Sequence, residues 1–288
     1  MKKFISLIGF PVAHSISPYF QQAALDHFHL DIEYRVREIY PEKLAETINS
    51  LRQGEHVGAN ITVPYKEKVL PFLDEIDDMA KAVGAVNTIV KRGDCLAGYN
   101  TDIHGFLTAL RREGNFDPAG KTLAVLGAGG AARAVSFALI SQKAKFLKII
   151  NRSLKRAEDM AASLRIYMGK TGLQSKISVL PWESTAAEQT FKDTQLIVNC
   201  TTAGTIHTSQ QGISPLSARV IPAGILVYDL VYNPPMPPFL RIARAAGANI
   251  LGGLPMLVYQ GAAAFTLWVE KEAPLDIMFY SAAEALNA

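Results

Sequence analysis

Cysteine is nearly absent: Cys95 and Cys200 are the two in 288 residues, and they form no CxxC. That excludes a disulfide-stapled scaffold and a zinc ribbon, and it suits a reducing cytoplasm. Charge is also scarce, at 19% of residues with a formal net charge of +3. With no run of Lys and Arg, there is no electrostatic case for a nucleic-acid partner. The histidines lack ligand spacing. His27 and His29 are two apart on a predicted helix and so face different ways, and His14, His56, His104 and His207 are scattered, so no metal site is expected. The segment from Met1 to Phe10 starts like a signal peptide, but its apolar part is short. Pro11 and His14 follow without a small-residue cleavage site, so it reads as a first core strand. Residues 245–269 carry no charge and are long enough to cross a bilayer. Asn249, Gln260, Gly247, Gly252, Gly253 and Pro255 would break such a helix, so a loop and a buried helix are expected there, with no membrane partner. No fixed-period repeat or low-complexity tract occurs.

What is present is apolar residues, at 49%, enough for a sizeable core in one large domain or two ordinary ones. Short apolar runs alternate with helical stretches. Strands are predicted at Phe4–Gly9, Glu33–Ile39 and His56–Ile61, with helices at Pro18–Leu30, Lys43–Gln53 and Lys66–Ala82. Val86–Lys91 and Cys95–Tyr99 read as a β pair across Arg92-Gly93-Asp94, and Asp102–Glu113 reads as a helix. The turn-rich stretch from Gly114 to Gly120 marks a break. A second α/β series then begins, with strands at Thr122–Leu126, Phe146–Ile150, Ile177–Leu180, Leu196–Cys200 and Leu226–Asp229. Its helices are Ala131–Gln142, Ser153–Met168 and Met236–Gly247, and the chain ends in helices at Leu254–Lys271 and Pro274–Leu286. This alternation predicts mostly parallel sheets with helices outside.

The first strand of the second series runs straight into Gly127-Ala128-Gly129-Gly130-Ala131-Ala132, matching G-x-G-x-x-A in strand–turn–helix context. Gly127 permits the tight turn, Gly129 lets a pyrophosphate approach the backbone, Ala132 allows close helix–strand packing, and the helix N-terminus faces the anion. A structural glycine turn is the plainer alternative, but the flanks favour a dinucleotide. An NAD site usually ends the next strand with Asp or Glu to bond the ribose. Here Asn151-Arg152-Ser153 stands there, followed by Lys155 and Arg156. Asn151 cannot repel a 2′-phosphate and Arg152 can grip one bidentately, which favours NADP. Solvated helix-face charges are the alternative for Arg152 and Arg156.

Four segments before residue 106 look chemical. In His14-Ser15-Ile16-Ser17-Pro18, Ser17 suits a helix N-cap and Pro18 the first helical position, while two hydroxyls at a positive helix end would also suit a carboxylate. Asn60-Ile61-Thr62-Val63-Pro64-Tyr65-Lys66 places an amide, a hydroxyl and an ammonium beyond a strand end, where ligands of open α/β sheets bind. Gly84-Ala85-Val86-Asn87-Thr88 adds an amide, and Gly98-Tyr99-Asn100-Thr101-Asp102 a carboxylate. Each alone fits a cap or turn. Together they suit a small polyhydroxylated acid, and a Lys/Asp pair suits proton transfer on a carbonyl/alcohol couple beside a hydride carrier.

With these segments in order, the chain resembles the shikimate dehydrogenase family over essentially its whole length. Asn199-Cys200-Thr201, the run from Tyr228 to Pro234 and the run from Gly253 to Gln260 match as well. The resemblance implies a two-domain α/β fold with an active-site cleft between the domains. Residues 1–106 plus 255–288 would form a discontinuous substrate domain with a mostly parallel sheet, and residues 107–254 a Rossmann-like NADP-binding domain. It implies reversible NADPH-dependent reduction of 3-dehydroshikimate to shikimate, on the route to aromatic amino acids. Carried over by motif, Lys66 would be the general acid/base and Asp102 its partner. Ser15 and Ser17 would receive the carboxylate, and Asn60, Thr62, Asn87, Asp102, Tyr232 and Gln260 would contact ring hydroxyls and carboxylate. Gly127, Ala128, Gly129, Gly130 and Ala131 would cradle the pyrophosphate, and Asn151, Arg152, Ser153 and Arg156 the adenosine phosphate. Thr201, Leu230 and Gly253 would lie toward the nicotinamide, with Asp78 able to touch the cofactor. Gln21-Gln22 replaces a usual His-Asn, and Thr205 a usual apolar residue near the nicotinamide. Two alternatives stay open: a quinate/shikimate dehydrogenase of broader scope, and a non-catalytic NADP-binding regulator. Monomer and homodimer are equally open.

Overall fold

A computed structural model describes residues 2–206 and 208–287, and the chain divides into two compact units. One comprises the residues up to Gly105 and those from Leu257 onward; the other is Phe106–Met256.

The first unit opens with β1 (Lys3–Gly9), α1 (Ser17–His27), β2 (Ile32–Glu38), α2 (Leu44–Ser50) and β3 (His56–Ile61). It continues through β4 (Glu75–Ile76), α3 (Asp78–Val83), β5 (Thr88–Arg92), β6 (Cys95–Tyr99) and the start of α4 (Asp102–Arg112). The sheet order is β2-β1-β3-β5-β6-β4. β1 pairs parallel with β2 and β3, and β4 with β6, whereas β3/β5 and β5/β6 are antiparallel. Ile8, Ile48, Ile61, Tyr65, Val69, Val86, Ile89 and Leu96 form a buried cluster on this sheet. Burying such side chains stabilises by roughly 1.5–3 kcal/mol each.

The helix expected over Lys66–Ala82 is corrected. Only Asp78–Val83 is helical, capped by Asp77, whose carboxylate accepts from the Met79 and Ala80 N–H groups, and ended by Gly84 at φ 70°. Upstream, Pro71 sits in a single 3₁₀ turn (Leu70–Phe72). Asp74 then laces the chain to β6: its N–H donates to the Leu96 carbonyl at 3.0 Å, and its carboxylate accepts from the Leu96 N–H at 2.8 Å. Those bonds outweigh the helical spacing of the apolar residues. α1 also differs: Ile16, not Ser17, is its cap residue, and it ends at His27, so His29 lies beyond it at φ 52°.

The second unit runs β7 (Thr122–Leu126), α5 (Gly130–Ser141), β8 (Phe146–Asn151), α6 (Leu154–Thr171), β9 (Lys176–Pro181), β10 (Leu196–Asn199), β11 (Leu226–Asp229), α7 (Pro238–Ala245) and β12 (Asn249–Leu251). Every pairing in its sheet, ordered β12-β11-β10-β7-β8-β9, is parallel. The order reverses at β7, the doubly wound arrangement that gathers ligand-binding loops at the carboxyl ends of the strands. The chain then passes through α8 (Leu254–Val269) to α9 (Leu275–Asn287). Among the described residues no helix is long and apolar enough to cross a membrane.

Candidate functional site

In the first unit, Lys66 lies on the turn after β3. Its carbonyl accepts the Val86 N–H at 2.8 Å, and its neighbour Tyr65 is fully buried, donating to the Ile39 carbonyl at 2.5 Å. This anchored backbone aims the Lys66 ammonium at the first residue of α4: Nζ donates to Asp102 Oδ2 at 2.6 Å. The side chains are 16% and 5% exposed, so water screens the pair weakly. Asp102 Oδ1 accepts from Asn87 Nδ2 at 2.9 Å. The Asn87 amide orientation is determined, because its Oδ1 accepts the Thr101 backbone N–H at 2.7 Å, a group that can only donate. Nδ2 therefore faces Asp102, with Thr101 Oγ1 at 2.9 Å and Gln260 Oε1 at 3.1 Å. Gln260, on α8, donates from Nε2 to the Leu257 carbonyl at 2.8 Å.

Asn60, at the end of β3, is bonded within the sheet. Its Oδ1 accepts from Tyr34 Oη at 2.7 Å, and Nδ2 donates to the Asn87 carbonyl and Thr88 Oγ1, both at 3.2 Å. Both amide hydrogens are thus engaged inside the protein. Thr62 follows β3, with its N–H on the Ile8 carbonyl at 2.9 Å, and it is half-buried. Ser15 Oγ accepts the Ser17 N–H at 3.2 Å, so Ser15 supplies the hydrogen bond at the head of α1. The loop carrying both serines is held by Glu38, whose carboxylate accepts from the Val12 and Ala13 N–H groups at 2.7 and 3.1 Å. The replacements at Gln21 and Gln22 tie α1 down. Gln21 Nε2 donates to the Gly261 carbonyl at 2.9 Å, and Gln22 Oε1 accepts the Tyr34 N–H at 2.9 Å. Asp78 is exposed at the start of α3.

In the second unit, Gly127 has φ +115°, a backbone conformation side chains strongly disfavour. α5 starts at Gly130 with Gly129 as its cap residue and no side-chain cap hydrogen bond. A Cβ built at Gly129 would meet nothing within 4 Å. An open turn ending in uncapped helix N–H groups is a fitting receptor for a pyrophosphate. Ala128 is buried behind that turn, and Ala131, the second residue of the helix, is half-buried. Beyond β8, Asn151 Nδ2 donates to the Ser153 carbonyl at 2.9 Å, and Ser153 Oγ caps α6 by accepting the Arg156 N–H at 3.4 Å. Arg152 and Arg156 are exposed.

Thr201 and Leu230 follow β10 and β11. Asn199 Oδ1 accepts from Thr201 N and Oγ1 at 3.0 and 2.7 Å, and the Leu230 N–H donates to the Asn199 carbonyl at 3.0 Å. Asn199 Nδ2 donates to Asp229 Oδ1 at 2.9 Å, which also accepts the Val231 N–H at 3.1 Å. Burial pushes the Asp229 carboxyl up to about 7, against the lowering influence of the bonds from Val231 and Asn199. Gly253 is required by close approach, since a Cβ there would lie 2.2 Å from the Leu230 carbonyl oxygen. Tyr232 is half-buried beyond β11.

Sequence reasoning missed Tyr34, Thr88, Thr101 and Asp229 as members of these networks. Thr88, Thr101 and Asp229 lie inside motifs already singled out, whereas Tyr34, mid-strand, carried no signal. His207 lies outside the described residues; among those described, no group of three His, Cys, Asp or Glu side chains could hold a metal.

Two family models match: the shikimate dehydrogenase substrate binding domain over residues 7–89, and the shikimate 5'-dehydrogenase C-terminal domain over residues 253–278. A shikimate dehydrogenase (NADP(+)) of Moorella thermoacetica is 41% identical over 99% of this chain and 94% of its own. A crystal structure of the enzyme from Thermus thermophilus, in complex with NADP(H) and shikimate, is 36% identical, with a TM-score of 0.84 over 99% of this chain and 100% of that one. A Listeria monocytogenes structure in complex with shikimate and NAD is 30% identical, with a TM-score of 0.85 over 96% and 95%. Likeness at this level over nearly the full length, joined to the lysine–aspartate pair and the glycine turn, makes the chain a member of the shikimate dehydrogenase family.

Proposed function

We propose that this chain is an NADP-dependent shikimate dehydrogenase, interconverting 3-dehydroshikimate and shikimate in the synthesis of aromatic amino acids. The observation that carries the reading is the Lys66–Asp102 pair at 2.6 Å, shielded from water and held from the far side by Asn87. A positioned ammonium can hand a proton to the carbonyl oxygen as the ketone becomes an alcohol, and take it back in the reverse direction. Asp102 keeps Nζ oriented. When bound, NADPH supplies the hydride that reduces the ring carbonyl carbon. Ser15 and Ser17 bind the carboxylate, and Thr62, Asn87, Tyr232 and Gln260 hold the ring hydroxyls. A ring hydroxyl at Asn87 takes the place of one of the three acceptors around its Nδ2, Asp102, Thr101 and Gln260.

The turn from Gly127 to Ala131 receives the pyrophosphate. Arg152, beside Asn151, Ser153 and Arg156, binds the 2′-phosphate, and no carboxylate stands at the end of β8 to oppose it. Thr201, Leu230 and Gly253 line the way to the nicotinamide, and Asp78 contributes from the first unit. The free cysteines, Cys95 and Cys200, fit a cytoplasmic location, and the protein works as a monomer or homodimer. The test is to follow NADPH absorbance with shikimate or quinate as the acid and NADP or NAD as the acceptor. Turnover with shikimate and NADP well above the other three combinations supports the reading. No turnover, or a preference for quinate, overturns it.

A further inference from the structure

The network behind Lys66 and Asp102 extends across the sheet to Tyr34, a residue outside every motif of the site. Tyr34, on β2, is 6% exposed, and its phenol is pushed above its usual range by burial, so it stays protonated. The polarity of the bonds from Tyr34 to Thr88 is set by a group that can only accept. The Asn87 backbone carbonyl can only accept, so the Asn60 group facing it at 3.2 Å is Nδ2. Asn60 Oδ1 therefore faces Tyr34, and the phenol must donate. The second Asn60 amide hydrogen goes to Thr88 Oγ1, at 3.2 Å. Having accepted there, the fully buried Thr88 hydroxyl turns its own proton toward Asn87 Oδ1 at 3.1 Å or Thr101 Oγ1 at 3.2 Å. Asn87 Oδ1 is the atom whose placement sends Nδ2 to Asp102.

We propose that Tyr34 is a positioning residue for proton transfer: through Asn60 and Thr88 it helps hold the Asn87 amide that the Thr101 N–H orients, and so the Asp102 carboxylate on which Lys66 rests. Asn60 is the first link of that network. The role of Tyr34 rests on the proposed dehydrogenase reading. Tyr34 itself is braced at both ends, by Gln22 on its backbone N–H and by the neighbouring Trp268 ring, 6.3 Å away between centroids. Removing the phenol proton leaves Asn60 Oδ1 buried without a donor. The side chain is then held in register with Asn87 and Thr88 only by the two 3.2 Å bonds from Nδ2.

The experiment uses the full chain and compares wild type, Tyr34→Phe, Thr88→Val and Thr88→Ser, each alone and in an Asp102→Asn background. Wild-type turnover of shikimate and NADP is the control for the reading beneath; if it is absent, that reading fails, and the inference with it. Given that turnover, Tyr34→Phe and Thr88→Val should each lower kcat about tenfold, with the KM for NADP unchanged within about twofold. They should also shift the pH profile of kcat, and Thr88→Ser should restore wild-type behaviour. In the Asp102→Asn background the tenfold effect should shrink below about twofold, because the group it acts through is gone. Should Tyr34→Phe fail to fold, the Thr88 pair decides alone, since Val and Ser differ there by little more than a hydroxyl and a methyl. Wild-type kcat and pH profile in folded Thr88→Val, or an undiminished loss in the Asp102→Asn background, overturns the proposal.

Discussion

Asp229 should make the second unit lose stability as pH rises through neutrality. The carboxyl is fully buried, Oδ1 accepts two hydrogen bonds, and Oδ2 has no partner. Its pKa is raised from 3.8 to about 7, and burial is the first cause. For an acid raised in this way, the folded state keeps the proton where the unfolded chain has lost it. Stability from this group is whole below about pH 4, declines through the interval, and is gone above about pH 7. At about 1.4 kcal/mol per pH unit, the full loss is about 4 kcal/mol, and the part falling between about pH 5 and pH 8 is about 2–3 kcal/mol. Few other groups in this unit compete in that window. The Asp193 carboxyl is lowered by its hydrogen bond to Lys148 and titrates below it, while Cys200 and Tyr228 are raised by burial and titrate above. The assay is urea unfolding at both pH values in a Trp268→Phe background, where Trp182 in the second unit is the remaining tryptophan. Wild-type Asp229 should show the decline and Asp229→Asn should lose most of it. An equal decline in both proteins would refute the argument that an ionisable group at this position stays protonated in the fold.

Lys66→Ala should lower kcat about 10²- to 10⁴-fold with a smaller change in KM, as loss of a positioned acid does; near-wild-type kcat in steady-state assays would remove Lys66 from proton transfer. Arg152→Ala should raise the KM for NADPH about 10- to 100-fold and leave NADH almost untouched. Equal loss for both nucleotides would count against a phosphate contact. Gly253→Ala must push its Cβ away from the Leu230 carbonyl, 2.2 Å distant, and should cost about 1–3 kcal/mol of stability in thermal melts; an unchanged Tm would show that the loop yields freely.

The second unit was almost fully legible, because an all-parallel sheet demands continuous apolar strands between long helices. β12 escaped notice: three residues beginning at exposed Asn249, with Gly252 close behind, carry too little pattern. The error over Lys66–Ala82 has a specific origin. Val69, Leu73, Ile76 and Ala80 follow helical spacing, but Pro71 and the Asp74–Leu96 bonds hold their segment as turn and strand. The glycine turn was readable from its strand and helix flanks. The partnership of Lys66 with Asp102 was not, since 36 residues separate them and neither motif names the other. The chemistry of the combined segments suggested the pair, and resemblance gave the two residues their roles. Resemblance also carried Asn60 over as a ring contact, whereas the bonds of its amide to Tyr34, Asn87 and Thr88 join separate strands and lay beyond any motif.

Why four individually weak motifs converge follows from the mixed sheet. β1 and β3 are parallel, so the loop bearing Ser15 and Ser17 and the turn bearing Lys66 leave the sheet from the same end. β5 runs antiparallel to β3, so its start, not its end, lies there: Asn60 pairs with Thr88, beside Asn87. β6 reverses once more, and Tyr99, opposite Thr88, delivers Thr101 and Asp102 to the same edge. A fully parallel β3/β5 pair would have carried Asn87 to the opposite edge, about 15 Å away for a five-residue strand. The antiparallel pairs are therefore what bring hydroxyl, amide, carboxylate and ammonium within hydrogen-bond range. They also explain why the supporting residue, Tyr34, reaches the group from β2 through β3 to β5, crossing strands where no sequence motif can run.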